Sequence, residues 1–432
     1  MLTSLLAAGP RFLQLCRSQY WSEQHLAAYR QSRLKEILAA AAAIPFYAKH
    51  FGGHPGPDDL RNLPVVERAD LVRLNQSVRE LYPARTEFIG AESSGTTGHN
   101  IEVLFDAAHQ RGRFAARARY LVANGWRPWH RSAWLIGLTA GPNPDFRLTQ
   151  SRFLAGARFL SHIEEFSAQA EWLLKFDPHF IYTLPSNLEA VCSILEDQGQ
   201  RLTSLRKVFT GGEVLEDSIR ERTRRALGVD IADNYGSTEL FPAWQCSFGA
   251  YHVNAEHALV EIVDERGRQV APGQMGRVLV TTLENRLMPL VRYDMGDYAL
   301  SLDGRCRCGR TLPLIGRIVG RGINLFRDAN GKLISPWKVL DAVKELPGLR
   351  QLQVVQRKVD DYLVRIVSEA PVAPEVEALA LKHFISVVGR ASITFERVSD
   401  IARTKSGKFM STLCELDEAA RRDKTRPTSE AN

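Results

Sequence analysis

From about residue 85 the chain alternates between short apolar runs and longer stretches of helical character. The runs at 133–138, 180–184, 207–210 and 278–282 have the length of strands. The stretches 107–124, 167–176, 188–198 and 218–227 lie among them and read as helices. Such alternation predicts an α/β domain built on largely parallel strands. Turn residues then cluster at 264–267, 271–276 and 303–304, which predicts hairpins beyond the alternating core and hence mixed sheets. Upstream, residues 24–43 are helical by composition.

The rhythm changes near residues 317–325. Helices are expected at 336–346 and 374–388, and strands at 352–356, 362–367 and 393–398. The expected plan is a large N-terminal α/β domain over 1–320, a small mobile α+β module over 321–415, and a solvated, disordered tail over 416–432.

Composition narrows the partners. Hydrophobic residues make up 44% and charged residues 24%, which excludes a collagen, a coiled coil and a wholly disordered chain. No run approaches the roughly 18 apolar residues of a membrane span. The opening MLTSLLAAGPRF has no basic residue before its apolar stretch and is interrupted by Pro10. It reads as a helix lying on the domain surface, not a signal peptide, so a cytoplasmic protein is expected. Net charge is +7, which favours anionic ligands in general. Part of that excess lies in the tail, at Arg421, Arg422, Lys424 and Arg426. No base-reading or stacking pattern accompanies it, so no nucleic-acid partner is expected.

Four segments carry candidate chemistry. Glu92-Ser93-Ser94-Gly95-Thr96-Thr97-Gly98 combines glycines with hydroxyls, as an anion-binding nest requires, but lacks the lysine of a Walker A loop. Asn234-Tyr235-Gly236-Ser237-Thr238-Glu239 offers a ring face, a phosphate donor in Thr238 and a carboxylate for a hard cation in Glu239. Arg292-Tyr293-Asp294-Met295-Gly296-Asp297 places a carboxylate after a tight glycine turn, where it can accept two ribose hydroxyls. Arg403-Thr404-Lys405-Ser406-Gly407-Lys408 is a basic loop whose lysine can stabilise developing phosphate charge. Taken singly, each is also an ordinary polar loop. Neither a G-x-S-x-G elbow nor an H-E-x-x-H helix occurs.

In this order and spacing the four segments resemble the adenylate-forming superfamily of acyl- and aryl-CoA ligases, and within it the phenylacetate–CoA ligase branch. That branch is taken to include capsule-cluster proteins and synthetases that adenylate a deazaflavin cofactor. The likeness runs from about residue 33, where RLKEILAAAAAIPFYAKHF resembles the branch's N-terminal helix, to about residue 412. The resemblance implies that Ser93 to Gly98 form the phosphate loop, and that Gly211, Gly212 and Glu213 line the adenine side. It implies an adenine stack on Tyr235 and Gly236, an α-phosphate contact from Thr238, a Mg²⁺ ligand in Glu239, a ribose ligand in Asp297 and a catalytic Lys408. Residues 181–186 match a segment near the acyl pocket, with Trp134, Tyr182 and Phe209 as candidate aromatic walls.

One segment departs from the family. Gly320-Arg321 keeps the start of the interdomain hinge, and Arg321 counts among the nucleotide-side residues, but Ile323 and Asn324 stand where acids are usual. The hinge carries rotation between half-reactions, so the second step is the one in question.

Cys246, His252, Cys306 and Cys308 form a Cys₃His set suited to tetrahedral Zn²⁺, although the gap between His252 and Cys306 is not a finger spacing. The branch is similar in having cysteines here with bound zinc. Cys16, Cys192 and Cys414 read as reduced core or surface thiols. The other histidines, His109 and His257 among them, form no constellation, and most read as surface or satisfied structural residues.

The expected activity is adenylation of a small carboxylic acid by ATP with pyrophosphate release, then transfer to a thiol, either CoA or the phosphopantetheine of an acyl carrier protein. Adenylation of a hydroxyl without thioester formation is the alternative, and a non-catalytic AMP-binding module is a third reading.

Overall fold

The computed structural model describes residues 2–52, 55–82, 89–93, 101–137, 156–328, 330–341, 343, 349–368, 371–402 and 409–416. The chain divides into two compact units, Met1–Ile318 and Val319–Asn432.

The first unit is organised by an eleven-stranded sheet of two characters. One half comprises β3 (Ser132–Ile136), β4 (Ala157–Ser161), β5 (Phe180–Thr183), β6 (Lys207–Gly211) and β7 (Ile231–Tyr235). These strands run parallel in the order β4-β3-β5-β6-β7. The connections include α6 (Phe166–Phe176), α7 (Pro185–Asp197) and α8 (Asp217–Leu227). Parallel strands are buried on both faces, and these read as continuous apolar runs for that reason. Ala133, Leu135, Ile181, Val208 and Ile231 pack against Leu173, Val191, Leu195 and Ile219 of the three helices. α8 ends on Gly228 at φ +70, whose N–H reaches back to Arg224 O, a stop that glycine adopts without steric cost.

Beyond β7 the sheet turns antiparallel through β8 (Ala243–Gln245) and β9 (Tyr251–Val253). It continues with β13 (Leu314–Arg321), β12 (Tyr293–Ser301), β11 (Met275–Thr282) and β10 (Ala258–Val263). All three turn signals fall in the connections of this half, the second running into the start of β11. A separate hairpin pairs β1 (Ile89–Ser93) with β2 (Ile101–Phe105).

The helices α1 (Leu2–Ser18), α2 (Glu23–Ala42), α3 (Pro45–Phe51), α4 (Asp70–Leu81) and α5 (Ala107–Ala123) complete the unit. The N-terminal segment is a helix with an exposed face, which includes Pro10, Leu13 and Arg17. α1 packs on α5, and its Leu15 and Ser18 are wholly buried. Pro10 lies inside it, where it removes one helical hydrogen bond. Polar docking holds this end in place: Arg11 pairs with Glu284, and Ser18 Oγ donates to Glu256 Oε1.

The second unit holds the short hairpin β14 (Phe326–Arg327) and β15 (Leu333–Ile334), then α9 (Pro336–Asp341). A four-stranded sheet follows, built from β16 (Leu349–Lys358), β17 (Asp361–Ser368), β18 (Ser392–Arg397) and β19 (Thr412–Cys414) in the order β18-β17-β16-β19. α10 (Pro374–Val388) packs on it through Phe384, which meets Tyr362 edge-on at 5.2 Å, while Phe326 meets Tyr362 at 5.6 Å. This is α+β architecture.

Candidate functional site

Candidate nucleotide-side residues lie where the parallel strands end, the usual binding edge of an α/β sheet. Gly211 and Tyr235 are the last residues of β6 and β7. A Cβ on Gly211 would overlap the Asn234 amide, which donates to Thr210 O and, at 3.0 Å, to Tyr182 Oη. Gly212 sits at φ +84, in the left-handed region that glycine tolerates. The Glu213 carboxylate accepts from the N–H and hydroxyl of Ser186 at 2.9 and 3.0 Å, at the first turn of α7.

After Tyr235 the chain turns tightly, with Ser237 N–H donating to Leu240 O at 2.8 Å. A Cβ on Gly236 would lie 3.0 Å from Leu240 O, so the turn needs glycine there. Tyr235 Oη donates to Asp297 Oδ2 at 2.9 Å, joining two candidates that lie 62 residues apart. Thr238 is half-buried, and the Glu239 side chain is only 4% exposed. Glu239 Oε1 faces Tyr293 Oη and Arg68, each at 3.4 Å. Its main-chain carbonyl accepts from His109 Nε2 at 3.3 Å.

Asp297 does not follow a free turn, as the sequence suggested. It lies within β12, where Leu279 pairs with Asp294 and Arg277 with Tyr298, so extra residues bulge on the β12 side. Gly296, at φ +72, donates its N–H to Asp294 Oδ1 at 2.7 Å inside this bulge. Bulges re-aim side chains, and this one sets the direction of Asp297. Arg292, just before the strand, is a non-glycine residue at φ +48. Its guanidinium donates to Arg61 O, Leu63 O and Gly267 O at 2.6–2.9 Å, contacts that hold the strained residue in place.

The second constellation is Cys246, His252, Cys306 and Cys308, whose ligand atoms all lie within 4.8 Å of one another. Pairing of β9 with β13, His252 opposite Leu314, closes the long sequence gap. Cys246 Sγ is 3.6 Å from Cys306 Sγ, and Cys308 Sγ is 3.3 Å from His252 Nε2. No disulfide joins these thiols. A tetrahedral site with Zn–S bonds of about 2.3 Å has S···S edges of about 3.8 Å, so the spacing fits zinc. Burial pushes the Cys246 thiol up to about 12 and brings His252 down to about 4, which leaves a neutral imidazole at neutral pH. Burial would raise Cys308, but hydrogen bonds from Arg310 prevail and lower it.

Comparison with known proteins points to a family. Residues 153–284 match the AMP-binding enzyme family, and residues 326–414 match the CapK C-terminal domain. The phenylacetate-coenzyme A ligase of Thermus thermophilus is 27% identical over 336 residues, covering 70% of this chain and 74% of that protein. Its Escherichia coli counterpart is 28% identical, covering 71% and 75%. By these matches the chain resembles the adenylate-forming ligases, in their phenylacetate–CoA ligase-like branch. The fold agrees: a 2-hydroxyisobutyryl-CoA ligase in the postadenylation state superimposes with a TM-score of 0.73 at 21% identity, covering 94% of each chain.

Ser94 to Gly98 of the candidate phosphate loop and Lys408 lie outside the described residues, and Ser93 is described only as the end of β1. Arg321 is exposed at the end of β13, followed by a 3₁₀ turn over Gly322–Asn324. Of the candidate aromatic walls, Trp134, Tyr182 and Phe209 stand with Phe159 in one cross-strand row. Trp134 stacks on Tyr182 at 4.9 Å, whereas Phe209 is enclosed by Tyr120 and Phe180 and belongs to the core.

Sequence reasoning missed Arg68, Tyr293 and His109. Tyr293 lay inside a motif already singled out. His109 gave only its place near the start of a helix, and Arg68 gave no signal. Both are recognisable only from their approach to Glu239.

Proposed function

We propose that this ligase activates a small carboxylic acid with ATP and passes the acyl group to CoA. A carboxylate oxygen attacks the α-phosphorus, the bond to the β-phosphate breaks, and pyrophosphate leaves an acyl-AMP. The CoA thiolate then attacks the acyl carbonyl, AMP departs, and the thiol proton goes to solvent. The observation that carries this reading is the convergence of Tyr235, Asp297 and Glu239 at one strand end, with the Tyr235–Asp297 hydrogen bond linking them.

In this reading Tyr235 and Gly236 take the adenine, with Gly212 and Glu213 beside it, and Asp297 accepts the ribose hydroxyls. Thr238 contacts the α-phosphate, and the loop from Ser93 to Gly98 holds the departing phosphates. Lys408, from a lid domain beginning near Arg321, steadies charge on the carboxylate and phosphate oxygens. The buried Glu239 carboxylate, already facing a cation in Arg68, suits a hard divalent ion, and Mg²⁺ there supplies neutralisation of the polyphosphate. Cys246, His252, Cys306 and Cys308 hold a structural Zn²⁺, since all four tetrahedral positions are protein-filled. Thiols left unpaired at such short range fit a reducing compartment such as the cytoplasm.

The test is pyrophosphate release from Mg-ATP over aromatic, fatty and short hydroxy acids, with and without CoA. Release dependent on one acid, with CoA consumed, supports the reading. Release without CoA consumption transfers the second step to a carrier protein or a hydroxyl acceptor. No release with any acid refutes it in favour of a binding-only module.

A further inference from the structure

The segment before α4 runs beside the start of β12. Val66 bridges Tyr293, its N–H donates to Arg292 O at 3.1 Å, and its carbonyl accepts from Asp294 N–H at 2.9 Å. This short pairing fixes the height of Arg68, two residues on, against Tyr293 and Glu239. The acids around it have other cations. Arg277 lies 3.0 Å from Asp294 and 3.5 Å from Glu67, and Arg73 pairs with Asp70. Glu239 instead faces Arg68 at 3.4 Å, with the arginine 28% exposed and the carboxylate 4% exposed.

We propose that Arg68 is a positioning residue that stands in for the divalent cation at Glu239. It neutralises the carboxylate when no metal is present and yields it when metal arrives with ATP. This rests on the reading that Glu239 takes Mg²⁺. A buried carboxylate without a counter-charge is costly, so a site that empties between turnovers needs a cation of its own. A guanidinium supplies one at every accessible pH, because it does not deprotonate. The contact with Glu239 is a long one, 3.4 Å, from a partly exposed side chain, the kind of ion pair that is weak enough to exchange. The metal must nonetheless compete for the same oxygen. Arg68 therefore lowers metal affinity while keeping the empty site charge-balanced.

The experiment is a Mn²⁺ titration of the full chain saturated with a non-hydrolysable ATP analogue, read by water-proton relaxation, which reports metal bound in the protein complex. Arg68→Gln is expected to bind Mn²⁺ about fivefold more tightly than wild type, the factor expected when a competing pair of roughly 1 kcal/mol is removed. Arg68→Lys keeps the charge and is expected between the two. Unchanged or weaker Mn²⁺ binding in Arg68→Gln overturns the proposal, because a merely structural arginine cannot improve affinity when lost. Should Arg68→Gln fold poorly by thermal melting, Arg68→Met carries the same expectation, and wild-type-like affinity in Arg68→Lys and Arg68→Met alike overturns it. Glu239→Gln separates the two readings. If it weakens Mn²⁺ binding while Arg68→Gln has no effect, only the stand-in role fails. If Glu239→Gln leaves binding intact, the metal assignment fails and the stand-in role with it.

Discussion

Replacing Tyr235 by phenylalanine removes one hydroxyl and leaves the ring on which the adenine is proposed to stack. The lost hydrogen bond, to Asp297 Oδ2 at 2.9 Å, exists before ATP binds. Its own energy, about 1.5–3 kcal/mol for a bond to a charged group, is therefore lost equally from the free and bound enzyme. That loss belongs to stability. What reaches ATP affinity is the orientation that the phenol gives to Asp297, a half-buried side chain. Re-immobilising one such side chain costs about 0.5–1 kcal/mol, so the ATP dissociation constant should rise roughly two- to fivefold. Asp297→Asn keeps an acceptor for the phenol but loses the anionic partner of the ribose. It should cost about 1.5–3 kcal/mol, or roughly ten- to a hundredfold in affinity. Isothermal titration with a non-hydrolysable ATP analogue measures both. Equal losses in the two variants, or a larger loss in Tyr235→Phe, would refute the division between an orienting tyrosine and a ligating aspartate.

Three further outcomes follow from the same geometry. Lys408→Ala should cut acid-dependent pyrophosphate release by about 10²–10³, the cost of one charged transition-state contact of roughly 3–4 kcal/mol; wild-type turnover rejects the assignment. Protein purified without chelators should carry about one zinc per chain by metal analysis, and Cys308→Ser should lose most of it and melt at lower temperature. Glu256→Gln should destabilise the first unit by about 3–5 kcal/mol in chemical unfolding, because it leaves Arg119, fully buried with it at 2.7 Å, without a counter-charge. Burial raises the Glu256 carboxyl, but the Arg119 charge together with hydrogen bonds from Arg119 and Ser18 holds it below its ordinary value of 4.5. Its contribution is thus complete above that value and fades as pH falls through the lowered one. The variant should lose this part of the acid limb, and an acid limb identical to wild type would refute the coupling.

How much was legible in the sequence depended on the range of the interaction. The parallel half of the sheet was readable because buried parallel strands are apolar on both faces and their crossover helices carry their own periodicity. β8, β9 and β19 have three residues each, too few for any period to show. The end of β7 (Ile231–Tyr235) was hidden because Asn234 and Tyr235 look like loop residues while their backbone still pairs with β6 and β8. Helix α1 was legible as a helix, but its anchoring to Glu256 and Glu284, more than 200 residues away, was not, because such contacts leave no local mark.

The two candidate sites differ in the same way. A nucleotide site at strand ends is built from short contiguous segments, each following one strand, so its parts show as motifs even before they are seen to meet. The Cys₃His cluster has no contiguous form. Its two halves meet only because β7 hands the sheet to an antiparallel return through β8 and β9, and β13 then comes back alongside His252. That return also places β12 in the same sheet, so that Asp297 reaches Tyr235 and Tyr293 reaches Glu239. One change of strand direction thus closes the proposed zinc site and completes the proposed nucleotide site. Loss of metal should therefore loosen β9 against β13 first and disturb the Tyr235–Asp297 pair only through β12. A zinc-depleted enzyme is expected to lose thermal stability more sharply than ATP affinity, and the reverse order would show that the cluster acts on the nucleotide site directly.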